Sequence, residues 1–398
     1  MYYEKTNQPE VVKMKKLIAL VAFFLILTLG IGGMIAEAQH FDLLSLKDKQ
    51  RIQNKFTSYT TDNKFSGAIY AVYHNDVIYD QGAGMANKMM KNGTDVAYGV
   101  ASLTKEFTAA AIVQLYEKGK LDISDKLSKY FPGYRYGDDI TIWHLLAQRS
   151  GIPDYSVDSD DGKVYVSCFG TEYSDIMIDP SRTAVENRDK IRTFFLSKEL
   201  LFEPGDYYDY SDSNYALLAE IVTRVSGMEY HDYVRENIFE PLGMEHSAFI
   251  DDYDPNVITK VAQTDRSEFD RDYFTVKGAE YGCGDILSTP KDLYRWYRGL
   301  VEGKVVSDQS YHEMTTSYSA EDELGYGYGL MISDRSEKKV IYHYGYIPSY
   351  YSSIIFVPEI DYFQVVLSNH GNGDPHLMAA DLARYFGGSI DLIFSGIE

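Results

Sequence analysis

Val100-Ala101-Ser102-Leu103-Thr104-Lys105-Glu106-Phe107-Thr108-Ala109 is the stretch on which the reading of this chain turns. Ser102 and Lys105 stand at i and i+3. At a helix start that spacing puts a hydroxyl and an amine on one face, where the first backbone N–H groups point at whatever binds. A serine nucleophile needs a base, and a desolvated lysine can serve. Behind the pair, Phe107, Ala110, Ala111, Val113 and Leu115 recur at helical spacing and Gly119 closes the run, so a long helix is expected between Ser102 and Gly119. Spacing alone is a weak signal. It recurs at Ser288 to Lys291, where Ser288 before Thr289-Pro290 reads as a helix N-cap, and at Ser336 to Lys339 in a charged turn.

On the N-terminal side, a helix is expected from Phe41 to about Tyr59, followed by strands Ser66 to Tyr73 and Val77 to Ala83 around the turn His74-Asn75-Asp76. C-terminal to the stretch, helices are expected at Thr141 to Ala147, Ala184 to Leu196, Tyr215 to Val225 and Tyr230 to Ile238. The acidic, unperiodic residues 154 to 190 read as an insertion over the rim of a cleft. After Leu324 four β-rich runs follow, Gly327 to Ile332, Lys339 to Tyr344, Tyr351 to Val357 and Phe363 to Leu367, and then a closing helix, Pro375 to Tyr385. The expected fold class is α+β: an antiparallel sheet from both chain ends, about 39–100 and 280–398, with flanking helices and an inserted, mostly helical lobe, about 101–279. The active site would lie between the lobes of this single domain, 39–398.

The chain has 398 residues, 45% of them hydrophobic, enough to bury a large core. A formal net charge of -21 repels phosphate backbones, and no basic run follows the N-terminal region, so no nucleic-acid partner is expected. Lys13, Lys15 and Lys16 precede an apolar run from Leu17, and Ala36-Glu37-Ala38 has the small-x-small pattern of a secretory cleavage site. Residues 1–38 are read as a signal peptide, or as a membrane anchor if uncut, since apolar and glycine residues continue to Ile35. Either way the protein is expected outside the cytoplasm, as a monomer. Cys168 and Cys283 are the only cysteines, so one bridge is conceivable but not deducible. The nine histidines form no ligand-like cluster, and His312-Glu313-Met314-Thr315-Thr316 is half a zincin motif, so no metal is expected. With neither a P-loop nor a dinucleotide fingerprint, no cofactor is expected either. The 36 tyrosines read as surface and core filler or as the lining of a cleft.

The Ser102 stretch resembles the first motif of the serine β-lactamase and penicillin-binding-protein superfamily, in its class C and DD-peptidase branch. Tyr210-Ser211-Asp212, reached through Phe202-Glu203-Pro204-Gly205, is similar to the second motif, and His343-Tyr344-Gly345 stands where the third is expected. Ile140 to Asp154, Phe239 to Met244 and Gly282 to Leu300 fit as well, so the resemblance covers about residues 60 to 385. It implies that Ser102 forms an acyl-enzyme with a small-molecule or peptide substrate while Lys105 and Tyr210 move its proton. The amides of Ser102 and Tyr346 would form an oxyanion hole, Asp212 and His343 would lie on the substrate-binding wall, and Gly345 would let substrate approach the strand.

Two departures bear on the substrate. Asp212 replaces the usual asparagine, so a group that could donate only accepts when ionised. Either its charge keeps Lys105 protonated and shifts the base role to a Tyr210 phenolate, or it caps the following helix. Tyr344 puts a phenol where a small hydroxyl residue helps hold a substrate carboxylate, and His343 in place of lysine leaves less fixed charge. Both weaken the case for a β-lactamase. The expectation is a serine hydrolase acting on an ester or amide, such as a D-amino-acid cell-wall peptide. The alternatives are a β-lactamase and a non-catalytic peptide or β-lactam sensor. Gly-x-Ser-x-Gly is absent, which disfavours an α/β-hydrolase.

Overall fold

His74 and Asn75 both take positive φ, 48° and 64°, the geometry of a tight two-residue turn whose twist matches paired strands. They join β1 (Gly67–Tyr73) to β2 (Asp76–Ala83) as the sequence predicts. The computed structural model describes residues 46–61, 65–156, 181–263, 277–319, 325–334, 338–347, 350–370, 375 and 378–379. It divides the chain into two compact units, 1–53 and 54–398. In the first unit only the start of helix α1 (Leu46–Thr61) is described. The leader or anchor of residues 1–38, Cys168, and most of the insertion and of the closing helix lie outside the described residues.

In the second unit β1 pairs antiparallel with β10 (Tyr362–Ser368), which draws the two halves of the chain into one sheet of order β2-β1-β10-β9-β8-β7-β6. The intervening strands are β6 (Gly325–Tyr326), β7 (Met331–Ser333), β8 (Val340–Ile347) and β9 (Tyr350–Val357). The run Gly327 to Ile332, expected as one strand, is a correction. Gly327 N–H bonds Leu330 O at 2.8 Å and Gly329 has φ 72°, so the chain turns there and β6 and β7 are separate short strands. A second, three-stranded sheet orders as β3-β5-β4, from Tyr98–Gly99, Ile286–Ser288 and Ala248–Phe249.

Helix α2 (Thr104–Glu117) is buried along every face from Thr104 to Leu115. A helix with no solvent face must be enclosed by other elements. Phe107 stacks on Trp296 with ring centroids 4.1 Å apart, and each such large side chain withdrawn from water stabilises the fold by roughly 1.5–3 kcal/mol. Further helices include α3 (Ile142–Leu146), α4 (Ala184–Leu196), α5 (Asp212–Ser226), α6 (Tyr230–Val234), which passes into a π turn at Arg235–Phe239, α7 (Pro290–Val301) and α8 (Asp308–Met314). The α7 N-cap is Thr289, whose Oγ1 accepts from Asp292 N–H at 3.1 Å, rather than Ser288, which lies in β5 and hydrogen-bonds Ser247.

Candidate active site

Ser102 sits in a tight 3-10 turn, Ala101–Leu103, that feeds α2. The first donor bond of that turn is Leu103 N–H to Val100 O at 3.3 Å, so the Ser102 amide lies ahead of the helical ladder. Ala101 has φ 49°, a left-handed conformation that costs a residue with a Cβ on the order of 1–3 kcal/mol. Neighbouring bonds hold it there: Val100 N–H donates to Ile286 O at 2.9 Å, Ser352 Oγ donates to Val100 O at 2.7 Å, and Thr104 Oγ1 accepts from Ile286 N–H at 3.1 Å.

Lys105 is fully buried, and its Nζ meets three oxygens: Ser102 Oγ at 3.1 Å, Cys283 O at 2.9 Å and Asp212 Oδ1 at 2.6 Å. Tyr210 lies beside the same pair: its phenol is within reach of the Ser102 side chain, and its ring centroid lies 4.9 Å from the ammonium. The hydroxyl, amine and phenol that the sequence singles out therefore converge. Ser102 and Tyr210 are half-buried, in contrast to Lys105.

Burial by itself would lower the Lys105 pKa, but the Asp212 carboxylate more than offsets it and the amine is held above its ordinary range. Asp212 occupies the first turn of α5, where the helix dipole favours a carboxylate. Its oxygen goes to Lys105, and no side-chain cap bond forms at that terminus, so the capping alternative is set aside. The Tyr210 phenol is pushed well above 10, by burial first and by Asp212 second. This corrects the phenolate expectation: the carboxylate that keeps Lys105 protonated opposes ionisation of Tyr210 as well.

β8 runs alongside the Ser102 turn. A Cβ on Gly345 would stand 2.7 Å from Ser102 N and 2.8 Å from Val100 O, so glycine is required there for the protein's own backbone to pass. Gly345 thus lets β8 pass close to the Ser102 turn. The register of β7 on β8 ends at Tyr342, leaving that edge of β8 open from His343 onward among the described residues. His343 is 1% exposed, with its ring 6.3 Å from Tyr210 and 6.1 Å from Tyr326, and its Nδ1 bonds Tyr344 O at 2.7 Å. It backs Tyr210, which corrects the expectation of a side chain touching substrate. The Tyr346 ring is 46% exposed beside Tyr351.

With this geometry in place, comparison with known proteins gives a consistent result. The sequence matches the Beta-lactamase family over residues 52–387. The chain belongs to that family. It is 31% identical over 285 residues to the putative penicillin-binding protein PbpX of Bacillus subtilis, covering 71% of this chain and 66% of that one. It is 26% identical to the flp protein of Staphylococcus aureus, over 76% of this chain and 59% of that one, so it spans about two thirds or less of these relatives. Among solved structures, an octameric penicillin-binding protein homologue from Pyrococcus abyssi superposes with TM-score 0.71 at 28% identity, covering 85% of this chain and 77% of that one. A D-amino acid amidase from Ochrobactrum anthropi shares the fold at TM-score 0.67 and 23% identity, over 86% of this chain and all of its own, 100%.

Three supports of this family member's site carry no sequence signal of their own. Gln148 Oε1 accepts from Ser211 N–H at 3.1 Å and from Asn214 Nδ2 at 2.6 Å, which fixes the approach to Asp212. The Cys283 carbonyl offers a fixed acceptor to Lys105. The carboxyl of Asp154, at the edge of a segment expected as rim, feels the Asp212 charge and adds to the field that raises Tyr210. One trio among the described residues, Asp212, Glu280 and Cys283, brings its ligand atoms within 4.8 Å of one another. A cation there would have to displace the Lys105 ammonium from Asp212, and burial keeps the Cys283 thiol protonated. No helix among the described residues is long and apolar enough to cross a membrane.

Proposed function

We propose that this chain is a serine hydrolase that cleaves an ester or amide through an acyl-enzyme on Ser102. The observation that carries the reading is Lys105 Nζ 3.1 Å from Ser102 Oγ, with the Tyr210 ring 4.9 Å from the same ammonium. As Ser102 Oγ attacks the carbonyl, Lys105 gives a proton to Asp212, which frees its lone pair to take the hydroxyl proton, so the ammonium is restored and the carboxylate becomes the acid. Neutral Tyr210 donates to the leaving atom and is reprotonated through Lys105. Water then releases the acyl group by the same relay in reverse. The amides of Ser102 and Tyr346 stabilise the tetrahedral oxyanion, each such donor commonly contributing about 3 kcal/mol. The close pass of Gly345 by Ser102 N supports this placement.

The donor is an ester or an amide of a D-amino acid or wall peptide, and the D-amino acid amidase of the same fold supports amide chemistry on this scaffold. Export is supported by the run from Leu17 and the Ala36-Glu37-Ala38 pattern, with residues 39–398 as the exported domain. Intact-mass spectrometry after incubation with a fluorophosphonate, p-nitrophenyl esters, D-Ala-D-Ala peptides and penicillin tests the reading. It expects an adduct on Ser102 that Ser102→Ala abolishes. Absence of any adduct would leave the sensor alternative standing, and nitrocefin turnover without ester turnover would favour the β-lactamase.

A further inference from the structure

Asp154 lies across from the start of α5. The backbone on both sides of it is pinned to Ser213: Ser213 Oγ donates to Pro153 O at 2.6 Å and accepts from Tyr155 N–H at 3.2 Å. Since Ser213 adjoins Asp212, these two bonds hold Asp154 near the Lys105–Asp212 pair, close enough for both charges to act on its carboxyl. Pro153 and Tyr155 are buried, whereas Asp154 keeps part of its surface open. One carboxyl oxygen, Oδ1, is fixed by Ser156 N–H at 2.8 Å and Ser156 Oγ at 2.9 Å. Oδ2 takes no hydrogen bond or ion pair from the described residues.

The electrostatics around the reacting hydroxyl are one-sided. The strongest influences on Lys105, Tyr210 and Asp154 are Asp212, Asp154, phenols, the Cys283 thiol and Lys105 itself. Lys105 is the single cation among them, and Asp212 already neutralises it. Burial first and the Asp212 charge second raise Asp154 to about 8, as for a carboxyl that lacks a counter-ion. A donor ending in a free carboxylate would meet two carboxyls and, among the described residues named above, no spare positive charge. A donor carrying an ammonium would supply the missing partner.

We propose that Asp154 is a specificity residue that holds an ammonium group of the acyl donor, so that the site prefers aminoacyl esters or amides with a free amino group. This rests on the serine-hydrolase reading above. Ser156 pre-orients the carboxyl, and the open Oδ2 accepts the charge-assisted hydrogen bond. On binding, the ammonium stabilises ionised Asp154 and offsets the repulsion from Asp212.

The test compares kcat/KM for D-alanine p-nitroanilide and N-acetyl-D-alanine p-nitroanilide at pH 7, with p-nitrophenyl acetate as a neutral probe of Ser102 acylation. Hydrogen bonds to charged groups predict a preference of about tenfold to a hundredfold for the free amine. Asp154→Asn should bring that ratio down by at least about tenfold, carried mainly in KM. A wild-type ratio near one, with Ser102 still acylated by the acetate, overturns the role of Asp154 and leaves the hydrolase reading intact. A high ratio that survives in Asp154→Asn overturns the assignment to that residue. No acylation by any of the three probes removes the parent reading instead. Should Asp154→Asn melt below the assay temperature, Ser156→Ala, which loosens the carboxyl without removing it, is expected to lower the ratio, and an unchanged ratio there counts against the proposal.

Discussion

Replacing Asp212 by asparagine separates the proton relay from a simple lysine base. At 2.6 Å the Lys105–Asp212 attraction is worth roughly 6 kcal/mol at an effective dielectric of 20. Divided by the 1.36 kcal/mol of a pKa unit, that corresponds to about 4 units on the lysine. The asparagine oxygen still accepts a hydrogen bond and recovers part, so a fall of at least about 2 units is expected, with burial then pulling Lys105 down unopposed. In the wild type the protonated pair is already competent, because Asp212 receives the proton, and kcat/KM should be flat from about pH 6 to 9. In Asp212→Asn the lysine must lose its proton before attack, so a new acid limb appears at its own pKa. Below that limb the rate falls about tenfold per pH unit. The assay is kcat/KM for p-nitrophenyl acetate from pH 5 to 10, with a melting curve at each pH to confirm folding. A loss of more than about a hundredfold at pH 6 that shrinks steadily as the pH rises to 10 supports the relay. A profile that superimposes on the wild type, or one that is faster at neutral pH, refutes it.

Tyr210→Phe should keep Ser102 labelling by a fluorophosphonate yet lower p-nitroanilide turnover by about a hundredfold, more than for p-nitrophenyl esters, whose leaving group needs no proton; equal losses on both would remove its role as acid. Gly345→Ala forces a Cβ to 2.7 Å from Ser102 N and 2.6 Å from Ser352 Oγ, and acylation should drop at least about a hundredfold, as measured by the labelling rate. Glu106 is buried with its pKa raised to about 8 by desolvation, a pull that the Trp296 indole N–H at 2.7 Å only partly counters. Its folded pKa lies above its unfolded value near 4.5, so the stability it contributes is full below about pH 4.5 and is lost as pH rises to about 8. Glu106→Gln should flatten the denaturation free energy across that window, by roughly 3–5 kcal/mol relative to wild type, in urea titrations at pH 4.5 and 8.5. His231 is pulled down by burial but raised overall to about 9 by Asp252 and Asp285, so its contribution is full below about pH 6.5 and fades through 9. His231→Gln should therefore lower Tm at pH 6 and change it little at pH 10.

The hairpin β1–β2, helix α4 and strands β8 to β10 were legible because each announces itself locally, through turn residues with positive φ, a Thr183–Glu186 capping box, or alternating β-branched and aromatic residues. The split of β6 from β7 was not, since Tyr326, Tyr328 and Leu330 around glycines suit a strand and a tight turn equally. Ser102 and Lys105 could be read because three residues of helix suffice to bring them together. Asp212 could be placed near them only through its neighbour Tyr210, and the sense of its effect was not in the chain. A carboxylate 2.6 Å from a buried amine holds that amine's proton, and in the same field it denies Tyr210 its negative charge.

The same argument explains why Asp154 was missed. Fifty-odd residues beyond Ser102, after Gly151-Ile152-Pro153, it has the local look of a turn residue. Its position is set by Ser213, a side chain with no pattern of its own, which bonds the backbone on both sides of it. Long-range backbone clamps of this kind leave no periodicity to read, yet they decide which charges share a low-dielectric wall. Because Lys105 is committed to Asp212, the net charge available to a ligand at that wall is set by Asp154. A catalytic pair recognisable from spacing and a specificity carboxyl visible only in three dimensions therefore belong to one electrostatic system. For that reason the amine-dependent substrate ratio should itself shift in Asp212→Asn: with the neighbouring carboxylate gone, Asp154 ionises more readily and should bind the ammonium at lower pH. An unchanged pH dependence of that ratio would show the two carboxyls to be uncoupled.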